Sequence, residues 1–356
     1  MYTLTHYRNS VRKKVEEYPR RYSAVLEVTS LNNLKFKTLW TELTFINTSN
    51  PLTCSHTRGE LSREEIGFIF EKLDKWGVAS IYLSGGEIFL LKDSLEIIAE
   101  ARKRFFTQII TNSVLIDNHI AQYLSESRVV VTVYTPAVTK DPYEEMSQVE
   151  GSYSKFTRGA ELLVQNGVEP LFLIPVTKPL IKSLDKTLEN IQKLGVKRVK
   201  FTVYPGSGYG HNFKDELMLS PSENLYTTYR IEALKKKYEG LRIHHSFTAP
   251  YLPNNCMQIT IDPRGRVMPC SYLRIIFGYA LSDDFTGIYK KMFKQIAQKV
   301  GYASSKPPTD CQGCDLISPL YGRPCWGGCR CVAYNLYGRL NGPDRGCSYL
   351  VLRHEG

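Results

Sequence analysis

From Thr41 to Gly208 short runs of β-branched and aromatic residues alternate with amphipathic stretches, and this alternation constrains the fold more than any other feature. Strands separated by a helix run parallel and are joined by crossovers, so the pattern predicts βαβ units in a parallel sheet or barrel. The first strand is expected over 43–48. Ser62 and Glu65 then form a capping box ahead of Ile66, Ile69, Phe70, Leu73 and Trp76 at helical spacing, and Gly77 stops that helix. Strands are expected again over 78–85, 107–112, 128–135, 170–177 and 196–204, with helices over 93–104, 117–125, 151–166 and 183–194 between them. Six strands joined by short right-handed crossovers amount to an α/β fold, a partial (β/α)6 barrel of the TIM-like kind. Polar motifs follow the strands, as in barrels whose active loops gather at the strand carboxyl ends.

Beyond Tyr204 the character changes. Pro205-Gly206-Ser207-Gly208-Tyr209-Gly210 is a breaker-rich turn, followed by a polar helical stretch over 222–238 and a strand-like run over 241–248. From Cys256 onward Gly, Pro and Cys dominate, and one further helix is expected over 288–300. A chain of 356 residues suits one large α/β domain with a small appendage. The expected organisation is a basic N-terminal extension over 1–35, the barrel over 36–240 and a small cysteine-rich domain over 241–356. That last domain is held by metal in place of an apolar core.

The N-terminal stretch carries Arg8, Arg12, Lys13, Lys14, Arg20 and Arg21 and lacks the apolar centre of a secretory signal. The longest apolar runs, within 128–135 and 170–177, fall well short of the roughly 20 residues that cross a bilayer. The expectation is a cytoplasmic protein with no membrane partner, where thiols stay reduced and grouped cysteines serve metals rather than disulfides. A net charge of +11 favours an acidic partner such as RNA, a ribosome or an acidic peptide. The lysines at 235–237 and at 290, 291 and 294 fall on expected helices, where a solvated face is the ordinary reading.

Eight of the nine cysteines lie between Cys256 and Cys347. Cys256 and Cys270 bracket a hairpin with its turn at Pro263-Arg264-Gly265; Cys311 and Cys314 form a CxxC pair; Cys325, Cys329 and Cys331 cluster around two glycines; Cys347 closes the series. A CxxC pair points two thiolates at one metal, and Gly327 and Gly328 let backbone approach a bulky cluster. Zinc is the alternative, because CxxC with two later thiols is also a tetrahedral zinc pattern. Lone Cys54 with His56 is read as packing residues, and His244 and His245 fall on opposite faces of a strand, unable to chelate one metal together.

This stretch resembles the SPASM domain of radical S-adenosylmethionine (SAM) enzymes, whose pattern places a Gly ahead of the second Cys as Gly265 precedes Cys270. The resemblance implies two auxiliary [4Fe-4S] clusters, one held by Cys311, Cys314, Cys325 and Cys347 and the other by Cys256, Cys270 and Cys329. Ten residues separate Cys314 from Cys325, a longer gap than the family's, and Cys331 is an extra thiol, either a fourth ligand or a bystander. Upstream, Gly85-Gly86-Glu87 resembles the GGE motif that meets the amino group of SAM, and Thr111-Asn112-Ser113 resembles the TNG that ends the third strand. Gly151-Ser152-Tyr153 and Pro205-Gly206-Ser207-Gly208 fall where the family has a helix entry and a glycine turn.

The family holds its radical-generating cluster with CxxxCxxC after the first strand. Aligned on CNLxCxHC, residues Asn50-Pro51-Leu52-Thr53-Cys54-Ser55-His56-Thr57 retain one of the three cysteines. One thiolate does not hold a four-iron cluster, and without that cluster there is no radical. Ile88 also replaces the proline usual after Glu87, leaving Gly85, Gly86 and Glu87 as a vestigial SAM site with no catalytic residue assigned. The expectation is a pseudoenzyme that binds a peptide, protein or RNA. The alternatives are an active peptide or protein maturase, a redox enzyme using the SPASM clusters, and a ribosome-associated factor.

Overall fold

The computed structural model describes residues 23–48, 50–246, 258–300 and 328–340, with residues 342, 344 and 347. The chain opens with β1 (Ser23–Glu27), β2 (Leu31–Asn32) and β3 (Thr44–Phe45), and α1 (Arg63–Lys75) leads into β4 (Ser80–Ser84). Then follow α2 (Ser94–Arg104), β5 (Phe106–Thr111), α3 (Asn118–Ser127), β6 (Val130–Tyr134), α4 (Lys140–Ser147), α5 (Ser152–Gln165) and β7 (Leu171–Pro175). Next come α6 (Lys178–Lys193), β8 (Arg198–Thr202), α7 (Lys214–Leu217), α8 (Pro221–Lys237) and β9 (Arg242–Ser246). The remaining elements are β10 (Ile259–Ile261), β11 (Arg266–Met268), β12 (Gly278–Tyr279), α9 (Phe285–Val300) and α10 (Arg330–Tyr337).

Ten strands form one sheet in the order β12-β11-β10-β1-β4-β5-β6-β7-β8-β9. From β10 to β9 every neighbouring pair is parallel, and β10, β11 and β12 pair antiparallel. The expected α/β partial barrel is present, open between β9 and β12 among the described residues. On β8 Val199 and Phe201 are fully buried, while Arg198 and Lys200 on the other face are partly exposed. Strand periodicity puts Val199 and Phe201 under the helices and Lys200 toward the barrel interior. The α1 capping box forms as expected, with Ser62 Oγ accepting from Glu65 N at 3.2 Å and Glu65 accepting from Ser62 N at 2.8 Å.

The barrel's first strand is not the run at 43–48. Only Thr44 and Phe45 of that run pair, with β2, in a separate two-stranded ribbon. The central strand is Ser23–Glu27, four of whose five residues are buried, within the stretch expected as an N-terminal extension. Thr44 is exposed, so the later run has β propensity without burial to anchor it in the sheet. Strands β9 to β12, all beyond residue 240, continue the same sheet.

The C-terminal strands are tied to β1 by charge as well as by pairing. Glu27 is fully buried and takes a bidentate contact from Arg274 at 2.9 and 3.0 Å. Buried Asp262 holds Arg266 at 2.5 Å and accepts from the backbone N–H groups of Arg264 and Arg266, and Arg266 reaches Glu42 at 2.6 Å. Removing one partner of such a pair strands a charge in a dry site, whereas replacing both with apolar groups is close to neutral. Arg274→Met is therefore expected to lower the urea-unfolding free energy by about 3–5 kcal/mol, and adding Glu27→Met to restore most of it. A double variant no more stable than the single one contradicts this account.

Candidate functional site

The strand carboxyl ends are organised by Gly85 and Gly86. Gly86 N donates to Thr29 O at 2.7 Å and Glu87 N to Leu31 O at 2.8 Å, bringing the turn after β1 against the end of β4. A Cβ on Gly86 would lie 1.9 Å from Leu31 O, and one on Gly85 2.3 Å from Thr29 O. Gly85 also has φ +129°, a region open to glycine. Both glycines are thus required by the chain's own backbone contact.

Glu87 is fully buried and joins two sequence motifs. Its carboxylate accepts from Thr111 Oγ1 at 2.8 and 2.9 Å, from Asn112 N at 2.7 Å and from Phe89 N at 3.2 Å. Asn112 in turn donates to Asn33 at 2.8 Å. Ser113 has φ +62°, the left-handed conformation that the glycine of a TNG motif adopts freely, and its hydroxyl is anchored on Phe156 O. Burial pushes the Glu87 carboxyl up to about 7 despite those donors. With every nearby donor used internally, Glu87 is a structural bracket.

The loop that directly follows β1 is Asn32-Asn33-Leu34-Lys35-Phe36-Lys37-Thr38-Leu39, and it covers the barrel mouth. It reproduces the spacing of CNLxCxHC with Asn32, Phe36 and Leu39 at the three cysteine positions and Asn33-Leu34 at the NL pair. The segment 50–57, aligned on the same pattern in the sequence, follows β3 and runs beside residues 89–92: Leu52 N donates to Phe89 O and Cys54 N to Leu90 O. Glu60 ties it to the β1 turn by accepting from Thr57 N, Ser30 N and Ser30 Oγ at 3.1, 2.7 and 2.6 Å. His56 lies 3.4 Å from Asp93. The position after strand one, where the family carries its cluster, therefore belongs to residues 32–39. The signal that could have located it is Asn33-Leu34 a few residues beyond the apolar run Ala24-Val25-Leu26.

Those residues do not fit a [4Fe-4S] cluster. Phe36 is 1% exposed, with its ring 6.0 Å from that of Tyr134 and 5.6 Å from that of Tyr143, and Trp40 meets Tyr134 edge-on at 4.5 Å. Asn32, Phe36 and Leu39 enclose, with Gly85, Gly86, Asn112 and Tyr134, a space of about 20 Å³. That is room for about one water molecule, not for a nucleoside. Apolar side chains and an amide are also poor partners for iron.

On the other side of Trp40 lies a larger cavity of about 350 Å³, with Tyr82, Ser84, Thr202, Ser246, Gln258, Lys200 and Tyr272 in its wall. Cys270, Cys329 and Cys331 line the same cavity. Cys331 Sγ is 3.6 Å from Cys270 Sγ, and Cys270 also accepts from Tyr272 N at 3.3 Å. The Cys331 contact holds the Cys270 thiol below its ordinary range, and the same contact with that of Cys329 pushes Cys331 above it. Cys347 lies near this group, its N–H donating to Asp344 O while Asp344 accepts from Cys329 N at 2.6 Å. Thiols are soft donors of the kind an iron-sulfur centre takes. Among the described residues no three His, Cys, Asp or Glu side chains are arranged to hold a metal ion. Cys256, Cys311, Cys314 and Cys325 lie outside the described residues. His244 is exposed and His245 contacts Glu232 at 2.6 Å, so the two are apart as expected.

Residues 53–219 match the family model described as the Radical SAM superfamily. The matched span begins downstream of β1 and of the loop at 32–39. The chain is 26% identical over 325 residues to the PqqA peptide cyclase of Granulibacter bethesdensis, covering 86% of this chain and 84% of that protein. It shares the fold of anSMEcpe with bound AdoMet and Cp18Cys peptide (TM-score 0.70, 18% identity, 92% of this chain and 94% of that one). It also shares the fold of Streptococcus suis SuiB bound to precursor peptide SuiA (TM-score 0.67, 14% identity, 94% of this chain and 78% of that one). These relatives favour the maturase alternative over a non-catalytic role. No helix among the described residues is long and apolar enough to cross a membrane.

Two outcomes test this account. Between pH about 4.5 and about 7 the folded chain keeps the Glu87 proton that the unfolded chain has lost, so stability falls as pH rises through that window. Unfolding curves are expected to show a loss on the order of 3 kcal/mol across it, absent from Glu87→Gln; equal slopes in both proteins exclude a raised carboxyl. Phe36→Ala is expected to cost about 3–5 kcal/mol of stability and to leave the iron content of the purified protein unchanged. Loss of iron in that variant contradicts the apolar filling of the loop.

Proposed function

We propose that this chain works in peptide maturation, seating a segment of a peptide in the cavity at the barrel mouth beside a redox centre carried by the C-terminal cysteines. The observation that carries this reading is the cavity itself, which brings strand-end hydroxyls and the thiols of Cys270, Cys329 and Cys331 to one place. Its volume of about 350 Å³ falls in the range of ligand sites and suits a short peptide segment. Tyr82, Ser84, Thr202, Ser246 and Gln258 offer donors and acceptors to a peptide backbone, and Trp40 and Tyr272 keep water from one wall. The relatives named for PqqA peptide and the neighbours with peptide bound support the same class of substrate.

An iron-sulfur centre on the C-terminal cysteines would supply electron transfer; Cys270, Cys329 and Cys331 are the described residues that would hold it, together with the remaining cysteines of the series. A radical step at residues 32–39 or 50–57 is not part of the proposal. A second reading, a protein that holds its peptide for another enzyme, is favoured by one observation: Phe36 and Leu39 fill the place of the family's cluster. An RNA or ribosome partner rests on the +11 charge alone, with no support from the relatives.

Anaerobic iron and sulfide analysis with Cys270→Ala, Cys331→Ala and Cys54→Ala, followed by mass spectrometry of a pool of synthetic peptides incubated with SAM and reductant, tests the proposal. Iron is expected to fall in the first two variants and to be unchanged in the third, and a peptide of the pool is expected to change mass. Peptide binding without any change in mass supports the holding role. A colourless zinc protein that binds no peptide removes both readings.

A further inference from the structure

Lys200 is the sole formally charged side chain among the described residues lining the cavity of about 350 Å³. It sits in the middle of β8, where the register sets it beside Leu173 on β7 and His244 on β9, neither of them acidic. Among the described residues no carboxylate pairs with it. The chain's other lysines in strong contacts, such as Lys186, Lys193, Lys235 and Lys237, lie on the outside and are matched by Glu189, Glu232 or Asp185. Burial lowers the pKa of the Lys200 ammonium.

An ammonium group held in a partly dry cavity without a counter-charge is unfavourable for the chain alone. It becomes favourable once a ligand brings the opposite charge. The cavity wall also carries hydroxyl side chains, those of Tyr82 and Ser84 among them, a type of group that donates to anionic oxygen. With a single cation and no guanidinium among the described residues of the wall, the site suits a singly charged carboxylate better than a phosphate, which proteins hold with several charges or a bidentate arginine.

We infer that the barrel-mouth cavity recognises a carboxylate of the bound peptide, with Lys200 as its counter-charge and the surrounding hydroxyls as its hydrogen-bond donors. This rests on the peptide reading above and narrows it to peptides that present a carboxylate, from an Asp or Glu side chain or from the peptide's own C-terminus.

The test pans the full chain, Lys200→Met and Lys200→Arg against a random peptide display library and resynthesises the selected peptides. Each is made with its Glu or Asp changed to Gln or Asn, and with its C-terminus free or amidated. Neutralising the carboxylate is expected to weaken binding to the unaltered protein by about tenfold or more, the value of a hydrogen bond to a charged group. The same change is expected to cost Lys200→Met nothing, while Lys200→Arg keeps most of the preference. Loss on the Gln or Asn change assigns a side chain, and loss on amidation assigns the C-terminus. Removal of an ammonium that no described carboxylate pairs is expected to leave the thermal midpoint of Lys200→Met no lower than that of the unaltered protein, which separates lost recognition from lost folding. Binding indifferent to both changes, or equally sensitive to them in Lys200→Met, overturns the inference while leaving the peptide reading intact. Failure of the unaltered protein to select any peptide overturns both.

Discussion

The mouth of this barrel depends on one close backbone approach. Where Gly86 meets the turn after β1 there is no room for a Cβ, and the contact holds residues 29–31 against the end of β4. That contact aims the following loop across the strand ends, so that Phe36, Leu39 and Trp40 become the floor of the mouth. Buried Glu87 then binds the end of β5 to the same assembly through Thr111 and Asn112. The Gly85-Gly86-Glu87 motif is held here by packing and hydrogen bonding within the chain.

The filled loop divides the mouth into two parts with different chemistry. On the side of Gly85 and Gly86 the space is the size of about one water. On the side of β8 and β9 the cavity stays open, and the C-terminal segment supplies its thiols. That segment is locked onto β1 by strand pairing and by the Glu27–Arg274 contact, which places Cys270 at a defined position over the barrel. A peptide-handling role needs only the second part.

Much of the barrel was legible in the sequence because its strands and helices are strongly periodic. The capping box at Ser62 and Glu65, the helix through Phe156 and the strand through Phe201 stand within a few residues of their expected places. The beginning was misread for a definable reason. Ser23–Glu27 is short and ends in a glutamate, and that residue is tolerated in a buried strand because Arg274, some 247 residues away, neutralises it. The run at 43–48 looked more like a strand and lacked the burial. That displacement carried the cluster-loop alignment to residues 50–57, where Cys54 and His56 match the pattern by chance of spacing.

By itself the sequence determined the parallel α/β architecture, the strand-end motifs and the grouping of cysteines, because these follow from local periodicity and residue chemistry. Only the tertiary structure decided which loop lies over the barrel, that Phe36 and Leu39 fill it, that Glu87 is a bracket rather than a free acid, and that Lys200 faces a cavity shared with three thiols. Each of those depends on contacts between residues far apart in the chain, and such contacts are set by the packing of the whole sheet rather than by any local run of residues.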